Sequence, residues 1–142
     1  MVDIRALRDD ELGWADERYR EIKFMPSPPG ARGFVAELEG GRVGLGRLIE
    51  HAPEVLELGG IWTDDHARGR GVARDMVTAL LAAAPPGPVW CIPFAHLAGF
   101  YETFGFEVAR PPWPASIASK VALCHEQHLP SVVVLVRSSA RA

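Results

Sequence analysis

From Glu57 to Arg74 an apolar strand passes through a short polar loop into a glycine-rich helix start. The first turn of a helix leaves backbone N–H groups without acceptors and carries the positive end of the macrodipole, so donors converge on any anion placed there. Gly69 and Gly71 remove side chains that would block close approach, and Arg68, Arg70 and Arg74 bring three cations to one turn of a chain whose net charge is −3. The chemistry these residues suit is recognition of a phosphate or pyrophosphate. No G-x-x-x-x-G-K-[ST] run is present, which excludes a P-loop, and Arg74 stands where a dinucleotide fingerprint needs its third glycine or alanine.

The pattern that does fit is R-x-x-G-x-A, here Arg68-Gly69-Arg70-Gly71-Val72-Ala73, which resembles the acetyl-CoA pyrophosphate loop of the GNAT N-acetyltransferase superfamily. About thirty residues further on, Phe100-Tyr101-Glu102-Thr103-Phe104-Gly105-Phe106 resembles the F-Y-E-x-x-G-F signature of that family, and the two occurring in this order is more specific than either alone. The resemblance covers residues 34 to 110 well and the two ends by element order only. It implies a cleft where the fourth and fifth strands splay, with the pantetheine arm of acetyl-CoA pairing to backbone near Ile61, Trp62 and Thr63, and a cofactor contact at Phe100. The residues support the arm independently, since the last groups of a strand that leaves its ladder need hydrogen-bond partners. Gly59-Gly60 suits a bulge or a close ligand.

Acetyl transfer to an amine needs a neutral amine, a polarised thioester carbonyl and a protonated leaving thiolate. An alkyl amine is mostly ammonium at neutral pH, so a carboxylate must take its proton directly or through water, and Glu57 is the first choice, with Glu37 and Glu50 behind it. The competing reading of Glu57 is a solvated strand-face residue. The N–H of Ile61 or a neighbour is the candidate oxyanion donor. Helical spacing alone puts Tyr101 on a stripe with Leu97, Phe100 and Phe104, as core edge. The resemblance implies instead that Tyr101 faces the CoA sulfur as general acid. Many members carry an asparagine near the end of the fifth strand, whereas this chain has Ile92-Pro93-Phe94-Ala95-His96. Cys124 and His128 are four apart on a helix, but two ligands do not make a zinc site, so no metal is expected.

The elements that position these groups can be read in outline. At 142 residues with 48% hydrophobic content, the chain is expected to be one domain with a core of its own. No apolar run approaches the roughly 18 residues of a membrane span, and the first residues lack the regions of a signal peptide, so the expected compartment is the cytoplasm with no membrane partner. Cys91 and Cys124 read as free thiols. The acidic balance argues against a nucleic-acid partner and favours a small amine acceptor; a protein N-terminus, a lysine, an aminoacyl-tRNA, or a non-catalytic CoA sensor are the alternatives, and a homodimer is left open. Strands are expected at Val2–Leu7, Phe34–Glu39, Arg42–Glu50 (after a Gly40-Gly41 turn), Glu54–Trp62, Val89–Ile92, Phe106–Ala109 and Ser131–Arg137, the last buried on both faces. Helices are expected on Leu12, Ala15, Tyr19 and Ile22, from Gly69 to Ala84, around Leu97–Phe104 and over Ala115–His128. The Met25-Pro26-Ser27-Pro28-Pro29-Gly30 segment reads as a rigid connector or a substrate-lining loop. The order implies an α/β fold with a mixed, mostly antiparallel sheet of about seven strands and helices on both faces, as the resemblance also implies.

Overall fold

The structure, a computed structural model, describes residues 2–53, 55–126 and 131–138. Seven strands form one mixed sheet in the order β1-β2-β3-β4-β5-β7-β6, where β1 is Asp3–Ala6, β2 Arg32–Leu38, β3 Gly41–Ala52, β4 Val55–Thr63, β5 Val89–Cys91, β6 Glu107–Val108 and β7 Leu135–Arg137. β4 and β5 run parallel, while β1–β2, β2–β3, β5–β7 and β6–β7 are antiparallel. The helices are α1 (Leu12–Glu21), α2 (Val72–Ala83), α3 (Ala98–Glu102) and α4 (Ala115–Glu126). The chain divides into two compact units, residues 1–49 with 58–84, and residues 50–57 with 85–142.

In the first unit α1 buries Ala15 and Tyr19 with Val35 and Leu45. Leu12 and Ile22, expected on the same stripe, are 46% and 38% exposed. The reason lies just before the helix: Asp9–Glu11 forms a 3₁₀ turn, and Glu11 turns inward to Arg5 at 2.8 and 2.9 Å and to Arg42 at 3.3 Å. Hydrogen bonding to Arg5 outweighs burial and holds the Glu11 carboxyl down to about 2. The hairpin between β2 and β3 turns on Glu39-Gly40 rather than Gly40-Gly41, because Leu38 already pairs with Gly41. Both turn residues have positive φ, 53° and 83°, the requirement of a type I′ turn whose twist matches the strands.

Helix α2 lies close on β3 because β3 offers glycine there. A Cβ on Gly44 would stand 2.6 Å from Val72 Cγ1 and 3.3 Å from the Trp62 carbonyl oxygen. The first is a stiff β-branched side chain and the second is backbone, so neither yields cheaply. Gly44→Ala is expected to destabilise the protein by about 1–3 kcal/mol in chemical denaturation.

In the second unit Ile117, Val121 and Val134 form the core, with Trp90, Ile92, Trp113 and Val132 packed on it. β7 is shorter than its apolar run suggests. Pro93 has no N–H to continue the ladder, so the segment before β7 makes irregular bonds instead, Ala95 N–H to Ser131 C=O at 2.8 Å and Val133 N–H to Pro93 C=O at 3.0 Å. Among the described residues no helix is long and apolar enough to cross a membrane.

Candidate active-site residues

In the first unit, β4 leads through Asp64 and a 3₁₀ turn, Asp65–Ala67, into α2. The Asp64 side chain accepts from the His66 N–H at 3.0 Å and fixes the loop's entry. Arg68 is extended, and Gly69 and Gly71 follow with φ of +81° and +78°, a conformation L side chains resist. The turn therefore brings backbone, not side chains, to its surface, and nothing lies within 4 Å of where a Cβ on either glycine would stand. Gly71 is the helix N-cap and supplies no capping side chain. The first helical bond is Asp75 N–H to Gly71 C=O at 3.0 Å, which leaves the N–H groups of Gly71, Val72 and Ala73 ahead of it without helical acceptors. Val72 is buried against the sheet and anchors this end, whereas Gly71 and Arg74 are exposed. Arg68 Nε pairs with Asp65 at 3.0 Å, and Arg70 reaches only to 3.9 Å from Glu39. Both arginines are exposed, and such pairs are weak enough to exchange for a phosphate.

Ile61, Trp62 and Thr63 close β4, half-buried, with Trp62 packed edge-on against Trp14 at 5.8 Å. The ladder with β5 consists of Leu56↔Val89 and Glu57↔Trp90, so it ends at Glu57 while β4 runs on to Thr63. Gly60 has φ of +62°, and its backbone is pressed against protein: a Cβ there would stand 2.7 Å from Tyr19 Oη and 2.8 Å from Arg47 Nε. What Gly60 accommodates in this structure is Tyr19 and Arg47.

In the second unit Glu57 is not on a solvated face. It is 3% exposed, and both its oxygens are held: His51 Nε2 lies 2.7 Å from Oε1, and Lys120 Nζ donates to Oε1 at 2.8 Å and Oε2 at 2.7 Å. Burial pushes the carboxyl up, but the His51 hydrogen bond and the Lys120 charge outweigh it and hold the group below its ordinary value. The expected strands Arg42–Glu50 and Glu54–Trp62 leave His51 in the connection between them, and nothing in the sequence reading drew on Lys120, whereas β3 runs on through His51 to Ala52. His51 lies six residues before Glu57, on the other arm of the β3–β4 hairpin, a spacing that was legible in principle. Lys120 carried one signal, as one of only two lysines among fifteen basic residues.

Tyr101 lies on α3, 5% exposed, its ring edge-on to Phe100 at 5.0 Å and to Phe106 at 5.9 Å. Its hydroxyl is placed close enough to the buried Cys91 thiol for each to act on the other's charge, and burial raises both groups well above their ordinary values. Phe100 is half-buried beside it. Cys91 and Cys124 are both free. His128 lies outside the described residues, and among those described no group of three His, Cys, Asp or Glu side chains gathers as for a metal.

Residues 29–108 match the family model described as "Acetyltransferase (GNAT) domain". No curated protein matches the chain. Among solved structures, Escherichia coli ElaA is similar at 16% identity and TM-score 0.69, over 97% of this chain and 100% of that one. Rv2747 from Mycobacterium tuberculosis, solved with CoA, is similar at 15% identity and TM-score 0.71, over 97% and 99%. N-acetylglutamate synthase from Neisseria gonorrhoeae, solved with coenzyme A and N-acetyl-glutamate, aligns at 14% identity and TM-score 0.72, over 99% of this chain and 36% of that one.

Proposed function

This chain belongs to the GNAT acetyltransferase family, and from that premise we propose that it transfers the acetyl group of acetyl-CoA to the amine of a small-molecule acceptor by direct attack. The observation that carries the reading is the start of α2, where uncapped N–H groups and two positive-φ glycines lie within the matched segment. Residues 1–142 are taken as one acetyltransferase domain. The pyrophosphate sits on Arg68, Gly69, Arg70, Gly71, Val72, Ala73 and Arg74, bound by backbone N–H groups and neutralised by the arginines. The pantetheine amides pair with the backbone of Ile61, Trp62 and Thr63, and Phe100 contributes apolar contact to the cofactor. Titration of CoA by calorimetry tests this half of the reading.

Glu57 acts on the acceptor. The Lys120 ammonium on both its oxygens shows how an alkylammonium sits on this carboxylate, and an acceptor ammonium that takes that place loses its proton to Glu57 or to water held by it. The lowered pKa keeps Glu57 ionised across the neutral range, at the cost of making it a weak base. Tyr101 hands its proton to the departing thiolate. Burial keeps the phenol protonated throughout the neutral range, so the proton is in place when the thiolate forms.

Tyr101→Phe separates this role from a packing role. The ring contacts with Phe100 and Phe106 persist, so the loss of stability is expected to stay within about 1 kcal/mol, the worth of one buried hydrogen bond, while turnover falls by roughly 10²-fold. Thermal melts and steady-state rates on the one variant decide, and unchanged turnover removes Tyr101 from the chemistry. The whole proposal is tested by thiol release from acetyl-CoA against a panel of amines, amino acids, polyamines and aminoglycosides. Acceptor-dependent release is expected; CoA binding without release for any acceptor would indicate a sensor instead.

A further inference from the structure

A guanidinium stays charged in a protein, so one that is buried with no carboxylate opposite keeps its charge from water uncompensated. Arg47, in the middle of β3, is 4% exposed. Its Nη1 donates to Ser27 Oγ at 2.9 Å, its guanidinium carbon lies 4.2 Å from the centre of the Tyr19 ring, and its Nε is buried without an acceptor. Other arginines of the same unit meet carboxylates: Arg5 and Arg42 reach Glu11, Arg18 reaches Glu21 and Arg68 reaches Asp65. Among the described residues no carboxylate pairs with Arg47. The nearby acid, Asp16, is engaged by the backbone N–H of Ser27 at 3.2 Å. A neutral hydroxyl and a ring face are what the buried charge has.

The surroundings hold the fork rigidly. Tyr19 Oη donates to the Gly60 carbonyl at 2.7 Å, which fixes the ring under the guanidinium, and Gly60 adopts φ of +62° with its backbone against Arg47 Nε. The remaining side is covered by Ser27, which sits in the Met25-Pro26-Ser27-Pro28-Pro29-Gly30 connector between α1 and β2. Three prolines there offer no N–H to tie the segment down. Ser27 Oγ thus stands where an anionic oxygen would bind, on a segment whose three prolines donate no backbone hydrogen bond.

We infer that Arg47 is the receptor for a carboxylate on the acceptor, and that the acceptor is an amino acid rather than a polyamine or an aminoglycoside. This rests on the transferase reading above. The carboxylate displaces Ser27 Oγ and takes parallel N–H···O bonds from the guanidinium, a pairing that a carboxamide, neutral and offering one acceptor oxygen, does not reproduce.

The test uses L-amino acids and ω-amino acids, each against its own carboxamide, with two readouts: calorimetric binding to the CoA-saturated protein, and thiol release from acetyl-CoA. At least one acid is expected to bind at least roughly tenfold more tightly than its carboxamide. In Arg47→Gln and Arg47→Lys that ratio should fall towards one while CoA affinity holds. The lysine variant retains the charge and guards against misfolding of the glutamine variant, yet lacks the planar fork. Equal affinity for acids and carboxamides in the parent, or a preference that survives both substitutions, overturns the assignment. An acid that binds through Arg47 without any thiol release leaves the carboxylate site standing and refutes transfer.

Discussion

Gly71→Val is expected to lower the affinity for CoA by at least roughly 10²-fold, the worth of two charge-assisted hydrogen bonds. The substitution puts a branched side chain on the surface that the turn leaves bare, over the N–H groups of Val72 and Ala73 that precede the first helical bond. It also forces a β-branched residue to φ of +78°, so part of the damage will be backbone strain. Gly40→Val supplies the control. Gly40 has φ of +83° and equally open space, but it lies in the β2–β3 hairpin turn. Both variants should melt lower by similar amounts, and only Gly71→Val should lose CoA in calorimetry. Parallel losses in the two would mean that strain, not the anion site, explains the effect.

That turn was legible because its chemistry is local. Two glycines, an R-x-x-G-x-A spacing and a strand running into a helix all lie within twenty residues, and the backbone geometry follows from the glycines. The element order was legible for the same reason, since the change from alternating to helical period at Val72 is a property of neighbouring residues. What was not legible depends on partners distant in sequence. Glu57 was legible as the first-choice base, but its burial and its partners were not: His51 and Lys120, the latter 63 residues away, hold its two oxygens. Arg47 gave no signal because a strand arginine is ordinarily exposed, and what sets this one apart is burial without a carboxylate. The outward turn of Leu12 is a third case: the Arg5 and Arg42 guanidinium groups and the Arg8 backbone N–H draw Glu11 inward and fix where the helix begins, and no periodicity contains that.

Glu57→Gln carries the second large effect, and it should appear in two independent measurements. Turnover should fall by about 10²-fold or more near neutral pH and recover in part at higher pH, where more of the acceptor amine is already neutral. Stability should fall by about 3 kcal/mol, since removing one partner of a buried pair leaves the other charge poorly compensated; Lys120, about a quarter exposed, keeps the cost from going higher. The pH dependence of stability supplies the sign. Because the folded carboxyl titrates below its unfolded value of roughly 4.3, its contribution is fully present above that pH and is lost as pH falls through the lower folded value. The parent should therefore lose stability in acid more steeply than Glu57→Gln, whose side chain does not titrate. A variant with the parent's rate profile but the expected loss of stability would leave Glu57 as a structural anchor for His51 and Lys120.

The most direct test of the account follows the acetyl group itself. Acetyl-CoA labelled with carbon-13 in its acetyl carbonyl is mixed with the protein and the best acceptor from the amine panel, and after a single turnover both acceptor and protein are analysed by mass spectrometry. Direct transfer predicts the label in a new amide on the acceptor, one free CoA thiol for each amide formed, and none on the protein. Label released as acetate, or held on the protein before it reaches the acceptor, would contradict it.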